Sequence, residues 1–231
     1  MKRFYKSVGV SRVGGAFGVT LDGRVVKTPA GALLALPTSA LADAIAAEWT
    51  GQGDVIDPRA MPLTALANSA IDRVQADRVH ALKQLEAFGG HDLVCYRAAE
   101  PAALVARETL AWDAPLLWAR TRYGLDLRVT QGMQSIPQPA LSFARLEDVL
   151  SRRDAFALTG LVTAAAIMKS LVLALALADG RLDAAAAHAA AHVDEFFQAD
   201  KWGRDSEAEA RLKALKSELD AADRFMRLAR A

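Results

Sequence analysis

The sequence holds a single cysteine, Cys95, which rules out an internal disulfide framework and points to a reducing cytosol. Neither sign of charge is in excess. With 28 basic and 27 acidic residues the net charge is +1, so no overall field favours nucleic acid or an anionic membrane. The opening residues, MKRFYKSVGV, lack the apolar core of a secretory signal. The sequence has no internal repeat and no low-complexity linker. The glycines of Gly14-Gly15-Ala16-Phe17-Gly18 have no Lys-Ser or Lys-Thr after them. They open a hairpin strand where a phosphate cradle needs a helix, which leaves them as turn glycines. These absences exclude partners more readily than they name one.

What is present in quantity is apolar bulk. The chain has 231 residues, 52% of them hydrophobic, ample for a core in one or two domains without covalent staples. The most apolar run, Asp154 to Gly180, is about long enough to cross a bilayer. Lys169, near its middle, would cost roughly 2.5 to 3.5 kcal/mol there, and many of the apolar residues are alanines that contribute little burial. The expectation is therefore the buried central helix of a soluble bundle, over about residues 160–178. Asp154 is its N-cap, Asp179-Gly180 its stop, and Thr159-Gly160 a break near its start. Leu171, Leu173, Leu175 and Leu177 supply the volume to be buried, with Leu171 and Leu175 read as structural.

Residues Lys2 to Val10 read as a strand, and Phe17 to Leu21 alternates apolar and polar positions before Asp22-Gly23. A two-residue Asp-Gly loop favours the type I′ hairpin and would set Leu21 against Arg24 and Val19 against Val26. Leu33 to Leu36 is a further short strand. From Pro37-Thr38 the period lengthens, with Leu41, Ala42, Ile45, Ala46 and Trp49 on one helical face and Thr38 as cap. The pattern from Pro62 is again helical and continues, with a kink, through Leu85 and Phe88. His91 to Arg97 reads as a strand or buried connector, and Pro101 to Tyr123 as two helices with Trp112 and Trp118 turned inward. Leu125 to Val129 alternates like a strand, and a helix follows Pro137-Gln138-Pro139 to about Leu150. Arg181 to Lys201 and Asp205 to Arg230 are helical, the second with acid-before-base pairs such as Asp223 with Arg227 on a solvated face. The fold class is α+β: a small antiparallel β domain over residues 1–37, then a larger, mainly helical domain over 38–231.

Four places invite chemistry. His188 and His192 stand four apart on one helix, a spacing that presents two imidazoles to one metal, with Asp194 and Glu195 close by. HExxH is absent, no third ligand is evident, and no metal site is assigned. A metal-dependent hydrolase using His188, His192 and Glu195 is the competing reading. His91 and Cys95 would lie about 13 Å apart on a strand, outside hydrogen-bond reach; on a helix they could meet, but nothing supplies an orienting partner, and Cys95 reads as a small core residue. Glu48-Trp49 reads as an exposed acid beside a core tryptophan. The most informative cluster is Asp194-Glu195-Phe196-Phe197-Gln198 followed by Lys201-Trp202-Gly203. Two adjacent phenylalanines cannot both face one core stripe, so one lies at a rim, and acid and aromatics together suit a protein contact.

The sequence resembles the ATP-twelve family, assembly chaperones for the F1 sector of ATP synthase. The resemblance covers nearly the whole chain and rests on motifs taken in order: Arg3-Phe4-Tyr5-Lys6, Leu21-Asp22-Gly23-Arg24 with Lys27-Thr28-Pro29-Ala30, Leu36-Pro37-Thr38, Glu48-Trp49 with Gln52, and Met61-Pro62-Leu63-Thr64 with Ala70-Ile71-Asp72. It continues through Asp92 to Ala98, Trp112-Asp113, Gln138-Pro139, Ser170 with Leu173 to Leu177, and Asp194-Glu195 with Gln198, Trp202 and Gly203. It implies a β-rich N-terminal part and a larger helical part that together bind the unassembled F1 α subunit and keep it from aggregating until β replaces the chaperone. It implies no catalysis, no cofactor and no nucleotide requirement, and the expected state is a monomer. It places Glu195 foremost in a partner-binding set with Phe197, Gln198 and Trp202, and makes Trp49 structural. Mitochondrial members act in the matrix behind a targeting extension. Because this chain opens almost at its RFYK motif, a bacterial, cytoplasmic member is expected.

Overall fold

Asp22 and Gly23 both take positive φ, 49° and 79°, the mirror-image turn that matches the right-handed twist of the strands it joins. The computed structural model describes residues 1–132, 134–203 and 205–230. Strand β1 (Val8–Val13) pairs antiparallel with β2 (Ala16–Leu21), and β2 with β3 (Arg24–Val25) in the register Leu21 to Arg24. Val26 N–H donates to Val19 O at 2.8 Å, as the loop length requires. Gly18 has no room for a side chain: a Cβ would lie 2.6 Å from Val13 Cγ2. The strand read from Lys2 begins only at Val8. The Asp22 carboxylate accepts the N–H groups of Lys6 and Ser7 at 3.0 and 2.8 Å, so those donors are not available to a sheet, and these bonds hold its pKa below the ordinary range. Leu33 to Leu36 is two isolated bridges, Leu33 to Lys27 and Leu36 to Phe17.

The helices follow in order: α1 (Ser39–Thr50), α2 (Pro62–Ser69), a π turn (Ala70–Val74) and α3 (Arg78–Gly90). Next come a 3-10 turn (Leu93–Cys95), β4 (Tyr96–Arg97), α4 (Ala102–Tyr123), β5 (Thr130–Gln131) parallel to β4, and α5 (Ala140–Ser151). The rest is α6 (Ala155–Met168), α7 (Leu171–Ala178), α8 (Ala184–Ala191), α9 (Val193–Trp202) and α10 (Ser206–Leu228). The architecture is α+β, with a small antiparallel sheet followed by helices. Among the described residues no helix is long and apolar enough to cross a membrane.

The chain forms two compact units. The first joins Met1–Ala81 to Asp154–Gly160 and Ala221–Ala231, so it holds more than the β-rich residues 1–37. The reason is that α1 and the end of α10 supply the sheet's apolar cover: Val19, Leu36, Leu41, Ile45 and Phe225 are each fully buried in one core. Thr38 caps α1 by accepting from Leu41 N–H at 3.1 Å while donating to Leu228 O at 2.6 Å. Glu48 is no idle surface acid. Its carboxylate accepts the first N–H groups of α2, those of Leu63 and Thr64, at 2.8 Å each. Tyr5 donates to Trp49 O at 2.6 Å, and its ring meets the Trp49 ring edge-on at 5.6 Å. Gly160 breaks nothing. It lies inside α6, where a Cβ would fall 2.1 Å from Met226 Cγ, so glycine here lets α10 close in.

The second unit joins Leu82–Arg153 to Leu161–Asp220. Its α4 is one helix where two were read: Pro115 sits inside it, between Trp112 and Ala119, both buried. Trp118 is only half-buried, edge-on to Tyr123. Leu125 to Val129 forms no strand, because Gln138 takes the Arg128 N–H at 2.7 Å and donates to its carbonyl at 3.0 Å. The largest departure is in the apolar run, which is two helices and not one. Lys169 takes φ +53° and Ser170 caps α7, accepting Leu173 N–H at 3.0 Å. Fully buried Asp92 accepts the N–H groups of Val172 at 2.9 Å and Val94 at 3.3 Å and a bond from the Ser170 side chain. All eight residues of α7, Leu171 and Leu175 among them, are buried.

Burial pushes the Asp92 pKa up from 3.8 to about 6 against the pull of its donors. The folded state therefore holds this proton more tightly than the unfolded chain, so stability falls as pH rises through that window, by roughly 3 kcal/mol. Denaturant unfolding of wild type and Asp92→Asn across the window should give a difference that shifts against wild type as pH rises. A constant difference would contradict the assignment. Trp49→Arg places a charge between two apolar clusters and should cost about 3 kcal/mol, read as a lowered melting temperature.

Candidate protein-binding surface

The pattern of α9 decides what it shows. Glu195, Gln198 and Trp202 are spaced i, i+3, i+7 and share one helical face, while Phe197 lies about 200° round from Glu195. Phe197 is buried at 7% exposure, and the cations of Arg107 and Lys201 lie over its ring at 5.2 and 5.4 Å. Trp202, at the helix end, is 75% exposed and Gln198 is exposed. The structure thus separates Phe197 from the other three residues of the set read from the sequence. Phe196 is the exposed ring of the pair.

Beside this face runs a groove of about 540 Å³. Trp112, Met168 and Leu215 give it apolar walls; Lys169, Glu195 and Arg211 give it charge. Each charge arrives for a local reason. Lys169 is the left-handed residue between α6 and α7, Glu195 lies in the first turn of α9, and Arg211 on α10 stands 3.9 Å from Glu195. At that distance, with both side chains partly exposed, the ion pair is loose and contributes at most about 1 kcal/mol. Trp112 is pinned by an Nε1–H bond of 2.6 Å to Ala190 O.

Beneath Glu195 a second acid, Asp194, shares a carboxyl–carboxyl hydrogen bond with Glu108 of α4. Glu108 is 1% exposed and accepts Ala98 N–H at 2.9 Å. Burial raises both pKa values; repulsion from Asp194 adds to the rise at Glu108 and repulsion from Glu195 to that at Asp194, against which the bond to Glu108 works. The sequence reading missed this contact. Its signal was present: Leu104, Glu108 and Trp112 are spaced i, i+4, i+8, which puts an acid in an apolar stripe.

The histidines are structural in their bonding. His188 Nε2 meets Leu212 O at 3.1 Å and His192 Nδ1 meets His188 O at 2.9 Å; a carbonyl only accepts, so those two nitrogens carry the protons. Burial, then the neighbouring His192, lowers the His188 pKa. Among the described residues no three His, Cys, Asp or Glu side chains are placed to hold a metal ion. Cys95 is buried and its thiol is pushed up to about 12, chiefly by burial, which disfavours the thiolate a nucleophile needs, while His91 is exposed.

In sequence and in fold the chain is similar to chaperones. The family described as ATP12 chaperone protein matches residues 2–120. The chain is 42% identical to Atp12 from Paracoccus denitrificans, covering 99% of this chain and 98% of that one, with a TM-score of 0.94. It is 38% identical to a chain from Agrobacterium tumefaciens, covering 98% and 85% of the two, with a TM-score of 0.93. The mitochondrial protein atp12 of Schizosaccharomyces pombe is 24% identical over 214 residues, 87% of this chain and 74% of its own length. The chain belongs to the ATP12 chaperone family. Membership supports a role in ATP synthase assembly, with a protein as partner.

The opposed placement of the two aromatics is testable. Phe197→Ala should destabilise by about 3 kcal/mol, whereas Trp202→Ala should stay within about 0.5 kcal/mol of wild type in denaturant unfolding. Equal effects would contradict the orientation of α9.

Proposed function

We propose that this chain binds the unassembled F1 α subunit of ATP synthase and prevents its aggregation until β takes its place. It acts by binding and not by catalysis, as a monomer without a cofactor, in the bacterial cytoplasm. The observation that carries the reading is the likeness to Atp12 over essentially the whole of both chains. That both solved relatives named above come from bacteria supports the compartment.

The physics of the task agrees with the surface. An orphan subunit presents an interface meant for its neighbour, and apolar surface left open in that way aggregates. A cover that must later yield needs a few anchors within a polar rim. Trp202 is the anchor on α9, Glu195 and Gln198 are the polar contacts beside it, and Phe197 supports the helix from beneath. The metal-dependent hydrolase reading has no comparable support, because its two histidines are engaged by backbone carbonyls.

Glu195→Lys puts a second cation beside Arg211 and reverses the sign of one rim contact. The variant should melt as wild type does yet hold α about tenfold more weakly, read by light scattering of isolated α with increasing chaperone. If it protects α as well as wild type, Glu195 lies outside the contact surface.

A further inference from the structure

A second groove, of about 690 Å³, shares no residue with the first; it lies between the last turn of α4, one face of α5 and Asp179 at the end of α7. Arg122, Arg145, Arg152 and Arg153 line it against two carboxylates, Asp148 and Asp179. In a chain whose formal net charge is only +1, this is a local excess of positive charge. The arginines differ in how far they are committed. Arg153, 19% exposed, bonds Asp179 at 3.1 Å and Tyr123 Oη at 2.9 Å, and the Tyr123 hydroxyl also bonds Asp179. Arg152 grips Asp148 with one nitrogen 2.8 Å from each oxygen. Arg122 stands 3.9 Å from Asp179, and Arg145, exposed on α5, has no ion pair or hydrogen bond among the described residues. One turn before Arg145, Leu141 is 64% exposed.

We propose that this groove docks an acidic, partly aliphatic segment of a partner polypeptide, its carboxylates taken by Arg122 and Arg145 and an apolar side chain resting on Leu141. The inference rests on the chain being a chaperone with a polypeptide client. Charge complementarity names the occupant: a guanidinium presents a planar fork of donors matched to a carboxylate. Arg153, Tyr123 and Asp179 form a fixed floor that holds the groove open at no further ordering cost. A compact phosphate is the poorer match. Phosphate sites draw on backbone N–H groups at a helix N-terminus, and this groove is bordered by the C-terminal ends of α4 and α7.

The test titrates the full chain with a fluorescent peptide of alternating glutamate and leucine, and separately with ATP, at low and high salt. Saturable peptide binding that weakens with salt is expected, falling about tenfold for each arginine removed in Arg122→Gln/Arg145→Gln. Both arginines are largely exposed, so thermal unfolding of the double variant should match wild type. No peptide binding by wild type, equal binding by the double variant, or ATP bound in place of the peptide would overturn the proposal. The peptide replaces the α subunit here, so failure to capture α would leave this result standing, and the reverse also holds.

Discussion

A carboxyl group removed from water has to find donors, and Asp92 finds them at the one place where the most apolar run of the chain can supply them. The N–H groups at the start of α7 are free only if the preceding helix has ended, so the buried acid and the break at Lys169-Ser170 require each other. Ser170 serves both sides, capping α7 and bonding Asp92. Lys169 O, released from helical bonding by the break, accepts Leu93 N–H at 3.0 Å. Two consequences reach the surface. The break delivers the Lys169 side chain to the wall of the groove beside α9, and it places Leu93 and Met168 next to it. A single unbroken helix would carry that lysine elsewhere.

The motifs that carry the family resemblance are, for the most part, the hydrogen bonds of the scaffold. In the first unit Arg3 donates to Gln52 O at 2.7 Å, Gln52 accepts Asp57 N–H at 2.7 Å, and Asp72 accepts from Thr28 Oγ1 at 2.6 Å and Ala30 N–H at 3.0 Å. In the second, Arg97 pairs with Asp113 at 2.9 Å and Trp112 bonds Ala190 O. All but the Gln52–Asp57 bond tie together segments distant in sequence. Polar residues of this kind specify one arrangement because each misplacement leaves a buried partner unsatisfied. The α9 face is different: Gln198 and Trp202 lie open to solvent, and half-exposed Glu195 makes only a loose pair with Arg211.

How much of this was legible in the sequence follows from the range of each interaction. The Asp22-Gly23 hairpin, the Thr38 cap and the amphipathic α10 are set by residues a few positions apart, and their patterns read directly. What did not read was set across long separations. Nothing near Leu125 to Val129 reveals that Gln138 will occupy the backbone of Arg128, and nothing near Lys169 reveals that an acid from residue 92 will arrive there. Gly160 looked like a breaker because helix propensity is local, whereas its role is to admit Met226. On α9 the sequence required one phenylalanine inside and one at the rim; only the surrounding helices decide that Phe197 goes in.

That the exposed side of α9 meets another polypeptide is the step on which the proposed function turns. Hydrogen exchange read by mass spectrometry, on the chain alone and mixed with isolated F1 α subunit, addresses it directly. Added α should slow amide exchange across Val193–Trp202 and leave the buried strand β2 unchanged. A chain whose α9 exchanges at the same rate with and without a bound α subunit would contradict the account.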